Sequence, residues 1–167
     1  MAPTLILGID GTLVDSNRAN ARAWVTTFRA QGLDVPNGTV CPLVGMGGAQ
    51  LIPAASGIQQ DAPRFKALME GWKAAFSDEL PSLRPFLHTR EFVQAAQEAG
   101  WRTVVATSGA PDLAARLLDL AQVADLLPDR VSGEDTQASK PPPDLMHAVL
   151  EKVVARAEDA WMLADTV

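Results

Sequence analysis

Short apolar runs alternate along the chain with longer stretches of helical periodicity. Leu5, Ile6, Leu7 and Ile9 make the first run, which stops at Asp10-Gly11-Thr12 and predicts a buried strand with polar residues at its C-terminal end. From Ser16 to about Gln31 the pattern turns helical: Ala19, Ala23, Trp24, Thr27 and Phe28 share a face, and Gly32 follows as a stop. Residues 33–81 carry no convincing strand. Gly45, Gly47 and Gly48 interrupt this stretch near a helix start, a second helical pattern runs from Phe65 through Trp72 to Phe76, and Pro81 and Pro85 bracket the return. Arg90 to Ala99 then reads as a helix closed by Gly100, and Thr103 to Ala106 as a strand ending at Thr107-Ser108-Gly109. Pro111-Asp112 opens a helix through Leu113, Leu117 and Leu120. A short strand is expected near Val131, a loop and helix start at Lys140-Pro141-Pro142-Pro143-Asp144, and a last strand at Trp161 to Ala164.

Strands alternating with helices predict an α/β fold, a Rossmann-like and mostly parallel sheet sandwiched by helices, with a small helical unit inserted after the first strand. The expected division is residues 1–14 for the first core strand and its loop, 15–81 for the helical insertion, and 82–167 for the rest of the core. Ligands bind at the carboxyl ends of strands in such a sheet, so Asp10, Thr107, Ser108 and Asp165 are expected along one rim.

Composition narrows the partners more than the fold. A chain of 167 residues has room for one core with a modest insertion, and its 47% hydrophobic and 20% charged content fits a folded domain. Twenty acidic residues face 14 basic ones, a net charge of −6, and no window holds a dense basic stripe, which counts against nucleic acid and anionic membranes. Cys41 is the only cysteine, so an intrachain disulfide is impossible, a thiolate zinc site is disfavoured and a reducing compartment is expected. The opening residues do not follow a signal-peptide pattern, and no stretch approaches the roughly 20 apolar residues of a membrane span, so the expected location is the cytoplasm.

The chemistry-bearing residues cluster at predicted strand and helix ends. Carboxylates such as Asp10 and Asp165 are hard oxygen ligands suited to Mg²⁺, whereas hydroxyls at Thr107 and Ser108, backbone amides and the Lys140 ammonium suit a phosphoryl group. Each alone also has an ordinary role: Asp10-Gly11 can start a turn, Thr107 and Ser108 can cap a helix, and Lys140 can be a solvated lysine. Their order carries the case. Arg18, Arg22, Arg64 and Lys66 can meet an organic phosphate but are residue types usually found solvated, and Gly45, Gly47 and Gly48 equally well mark turns between short helices. His88 and His147 fall in no metal spacing or triad, and the tryptophans and phenylalanines are expected to pack in the core or the insertion.

The ordered segments Leu7-Gly8-Ile9-Asp10-Gly11-Thr12, Ala106-Thr107-Ser108, Lys140 to Asp144 and Leu163-Ala164-Asp165-Thr166 resemble the motifs of the haloacid dehalogenase-like hydrolases. The resemblance is to capped phosphatases and phosphomutases, covers essentially the whole chain, and implies a helical cap at 15–81 with Gly45, Gly47 and Gly48 in its substrate-facing part. It also implies residue roles. Asp10 would be the general acid and base and a backbone ligand of Mg²⁺, and Asp165 a direct metal ligand. Thr107 would hydrogen-bond the phosphoryl oxygens, Lys140 would offset their charge, and backbone donors near Ile9, Gly11 and Ser108 would complete an anion nest. The implied ligand is a small organic phosphate.

Two departures alter that expectation. The family places its aspartate nucleophile where this chain has Gly8, which has no side chain to attack phosphorus or to ligate a metal. The chain also reaches Val167 before a further acidic residue, helix and strand of the family pattern, so the C-terminal part of the core is expected to be missing and the sheet to present an edge for a protein partner or oligomer. The expectation is therefore a phosphatase by ancestry with weakened Mg²⁺ binding and severely impaired or absent activity. A phosphate-binding or protein-interaction pseudoenzyme and a phosphomutase-type relative are the alternatives.

Overall fold

A computed structural model describes residues 2–132 and 143–165. Lys140, a candidate in the sequence, and the acidic-motif residue Thr166 lie outside the described residues. The structure divides into two units, Met1–Asp15 with Arg84–Val167, and Ser16–Leu83.

The first unit is built on a parallel sheet of β1 (Thr4–Leu7), β2 (Arg102–Ala106), β3 (Arg130–Val131) and β4 (Ala160–Leu163), ordered β3-β2-β1-β4. In register, Ile6 stands between Val104 and Met162, and Leu7 between Val105 and Leu163. Alternation along the strands then sorts the faces. Ile6, Val104 and Ala106 join Val131 and the buried Val149 and Val153 of α7 (Pro143–Val153) in one apolar cluster, so α7 covers one face. On the other face α5 (Thr89–Glu98) lies against β2, with Gln97 Nε2 donating to Thr103 Oγ1 at 2.8 Å. Both helices sit on a parallel sheet, the α/β arrangement that the alternating pattern predicts. The α6 helix (Pro111–Leu120) buries Leu113, Leu117 and Leu118.

Chain β4 departs from expectation. Trp161 belongs to the tryptophans expected to pack, yet it is 65% exposed, and Met162 and Leu163 beside it are exposed too. β4 pairs only with β1 among the described strands, and Trp161 makes just one aromatic contact, edge-on to Trp101 at 6.3 Å between ring centroids. Strand propensity identified the element but carries no information on how many neighbours it has. Along α5, Leu5, Phe92, Ala95, Ala96 and Trp101 line an open apolar depression of about 310 Å³, on the side of the sheet away from the strand C-termini.

The second unit is helical: α1 (Asn17–Ala30), α2 (Asn37–Val40), α3 (Gly48–Ser56) and α4 (Pro63–Glu79). The face read from the sequence is the buried one, since Ala19, Ala23, Trp24, Thr27 and Phe28 are all inside, and Val40, Leu51, Ile52 and Leu68 complete the cluster. Trp24 stacks on Trp72, with centroids 5.2 Å apart, and Trp72 stacks on Phe76 at 5.4 Å. Asn20 Oδ1 accepts from Trp72 Nε1 at 3.1 Å, so the half-buried indole keeps its polar partner. No described helix is long and apolar enough to cross a membrane.

Two of the basic candidates are held within this unit. The Arg22 guanidinium donates through Nε and Nη2 to both carboxylate oxygens of Glu79, at 3.2 and 2.6 Å, and Lys66 Nζ lies 3.7 Å from Glu70. The hydrogen bonds from Arg22 hold the Glu79 carboxyl below its ordinary pKa. A depressed folded-state pKa means that the pair contributes fully above the ordinary glutamate range and is lost as pH falls through the lower, folded value. Melting curves of the parent chain and Glu79→Gln, taken from pH 6 to pH 3, are expected to converge at the acid end. Their separation at pH 6 should stay below about 1 kcal/mol, because the pair is partly exposed.

Candidate functional site at the carboxyl rim of the sheet

The rim is assembled by parallel pairing. Beyond Leu7, Val105 and Leu163, the last residues in register across β1, β2 and β4, the chain continues into Gly8, Ala106-Thr107 and Ala164-Asp165. Gly8 N–H donates to Leu163 O at 2.9 Å and Thr107 N–H to Val131 O at 3.0 Å, so both still follow their strands where the candidates begin. Three segments predicted to lie together are therefore brought to one edge by backbone hydrogen bonds.

A tight loop follows β1. Ile9 O accepts from the amides of Leu13 and Val14 at 2.9 and 3.1 Å, and Gly11 N–H donates to Val14 O at 2.9 Å. Gly11 has φ +67°, a left-handed conformation that glycine adopts without a Cβ penalty, and this turn carries Asp10 and Thr12. Asp10 is half-buried on it, bridged through its backbone to Val14. The chain leaves this unit at Asp15 and returns at Arg84, and Asp15 N–H donates to Arg84 O at 3.0 Å.

The hydroxyl of Thr107 is buried at the end of β2 and accepts from Gly109 N–H at 3.1 Å. A hydroxyl that accepts this bond still has its own proton to donate. Ser108 and Asp165 are exposed. Gly45 and Gly47 have φ of +107° and +78° and precede α3, whose first residue is Gly48. Packing accounts for Gly48: an added Cβ would lie 2.5 Å from Met69 Sδ and 3.1 Å from Trp24 Cη2.

Gly8 does not have the positive φ that would demand glycine. A Cβ built there would meet Thr12 Oγ1 at 3.1 Å and Ala164 Cβ at 3.5 Å, a close fit rather than a backbone clash. Thr12 Oγ1 is itself notable, since among the described residues it is the buried side-chain polar atom without a hydrogen-bond partner. Sequence reasoning passed over Thr12. Its place four residues after Gly8 becomes informative only once the loop folds back toward β1.

A Mg²⁺ site would draw on Asp10 and Asp165, but the described residues contain no group of three or more His, Cys, Asp or Glu side chains able to hold a metal, and Gly8 adds none. The described donor set at the rim does not fit a metal held by three protein side chains. What remains is a rim with the hydroxyls of Thr107 and Ser108 and the carboxylates of Asp10 and Asp165, and the Gly11 amide expected in an anion nest is instead spent on Val14 O within the loop.

Known proteins share this architecture. A hydrolase from Pseudomonas syringae superposes with a TM-score of 0.90 at 23% identity, over 98% of this chain and 76% of its own. CbbY from Rhodobacter sphaeroides, solved in complex with phosphate, superposes at 0.76 with 21% identity, over 97% and 77%. In sequence, PpaX of Caldanaerobacter subterraneus, a proposed pyrophosphatase, is 25% identical over 97% of this chain and 72% of its own length. The sequence model of one family matches residues 5–167, and the chain belongs to that family, the haloacid dehalogenase-like hydrolases.

Proposed function

We propose that the chain is a phosphatase-type member of its family that binds a small organic phosphate at the carboxyl rim of the sheet and hydrolyses it extremely slowly, if at all. The observation that carries this reading is Gly8: bonded through its amide to Leu163 O at the sheet rim, it offers no carboxylate where the family has its nucleophile. Thr107, whose oxygen accepts from Gly109 N–H, is read as a hydroxyl donor to the phosphoryl oxygens, joined by Ser108 and Lys140, whereas the Gly11 amide expected in the same role is already bonded to Val14 O. Asp10 is read as the general acid and base, protonating the leaving oxygen and then activating water, but both actions belong to a two-step route whose covalent intermediate Gly8 cannot form. The helical unit is read as the substrate-selecting cap, with Gly45, Gly47 and Gly48 in its turn. CbbY has been solved with phosphate and, as a variant, with xylulose-1,5-bisphosphate, which supports a phosphorylated small molecule as the ligand class.

Calorimetric titration with inorganic phosphate in the presence of EDTA is expected to show saturable binding that Thr107→Val weakens about tenfold, the loss of one hydrogen bond to a charged group. No binding by the parent chain, with or without Mg²⁺, would overturn the reading. A second reading, an interaction subunit, draws on the exposure of Trp161, Met162 and Leu163. Sedimentation velocity decides it, and a monomer at every concentration with no partner retained counts against it.

A further inference from the structure

Thr12 carries a consequence for position 8. Its hydroxyl has lost water without gaining a protein partner, a situation that costs free energy and is rare in native structures. The hydroxyl also lies 3.1 Å from the point where a Cβ would project from Gly8, while the other near atoms at that point belong to the backbone and methyl group of Ala164. A carboxylate attached to such a Cβ would carry its oxygens two bonds further out, within reach of this one polar neighbour. The fit of the Cβ is tight, but the atom that must yield is a hydroxyl held by no hydrogen bond, and rotation about the Thr12 side chain moves it at little cost.

We propose that Thr12 is a positioning residue for a carboxylate side chain at position 8, and that this chain has kept the donor after losing the group it holds. The inference rests on the reading of Gly8 as an emptied nucleophile position. It adds a named residue to that position and explains the orphaned hydroxyl by the same loss.

The test is a double-mutant cycle read by thermal melting. In the parent chain Thr12→Val removes an unsatisfied hydroxyl and is expected to raise the melting midpoint by about 2–4 °C. In the Gly8→Asp background the same substitution removes a made hydrogen bond and is expected to lower the midpoint by about 2–4 °C. A residue with a merely structural role shifts both backgrounds in the same direction, and that outcome overturns the proposal. A second readout is the carboxyl carbon resonance introduced by Gly8→Asp: its titration midpoint should rise by about one pH unit when Thr12→Val is added, because the hydrogen bond favours the charged form. Should Gly8→Asp fail to fold, Gly8→Asn offers the same acceptor without the charge and takes its place in the cycle. If neither side chain is accommodated, the cradle does not exist and the proposal falls. The cycle measures stability and titration, whereas the phosphate titration measures ligand, so either reading can fail while the other stands.

Discussion

Phosphate release from a panel of small phosphomonoesters, with Mg²⁺ in the buffer, is expected to run about 10⁴- to 10⁶-fold below that of a family member carrying the nucleophile. The magnitude follows from the division of labour in covalent catalysis. A carboxylate at position 8 would make the bond to phosphorus and split one difficult displacement into two easier ones, whereas Gly8 leaves direct attack by water. The groups that remain at the rim bind and stabilise charge, and such groups alone sustain only the residual part of an enzyme's acceleration. Gly8→Asp should raise turnover by at least about tenfold over the parent, since the backbone there accepts a Cβ without a positive φ and the acid–base candidate Asp10 is in place. Robust turnover by the parent chain, surviving a further purification step and absent from an Asp10→Asn preparation, would defeat this expectation.

The second large effect concerns the helical unit. Trp24→Ala is expected to lower stability by about 3–5 kcal/mol, a large share of what a domain has. Trp24 is fully buried, stacks on Trp72, tilts against Phe28 at 5.8 Å and touches the start of α3 at Gly48. Removing it empties the space at which α1, α3 and α4 meet, and the tight approach of Gly48 to Met69 leaves the helices little freedom to collapse inward. Urea unfolding followed by circular dichroism measures the loss. Trp72→Ala serves as the comparison: Trp72 is only half-buried, and its removal should cost less even though Asn20 loses a partner. Equal effects at the two positions would show that the stack, rather than burial, sets the energy.

Much of the sheet was legible because its strands are short apolar runs ending in polar residues, and the parallel order followed from the intervening helices. Boundaries shifted for local reasons. Strand β2 starts at Arg102 rather than Thr103, because the Arg102 amide already bonds Pro3 O at 2.9 Å, a pairing invisible in a residue whose side chain is charged. The α5 helix begins at Thr89, after His88 turns the chain through a left-handed conformation that the sequence does not announce for histidine. At the candidate site, Asp10 and Thr107 stand out in the sequence by their place after short apolar runs, whereas Gly8 stands out only through the resemblance to the family. Thr12 could not, since what singles it out is the absence of a hydrogen-bond partner, a three-dimensional property of a residue type that is ordinary in loops.

The single ladder of β4 bears on how steadily the rim is held. Among the described strands β1 is secured on both sides, by β2 and by β4, whereas β4 is secured by β1 alone and buries little of its apolar surface. Its detachment is a sub-global opening that leaves the β1–β2 pair intact and requires far less than global unfolding. Such an opening releases the Gly8 amide from Leu163 O and carries Asp165 away in the same event. Amide protection at Gly8 should therefore track β4 rather than the core strand to which Gly8 belongs, and whatever pins β4 also sharpens the geometry of position 8.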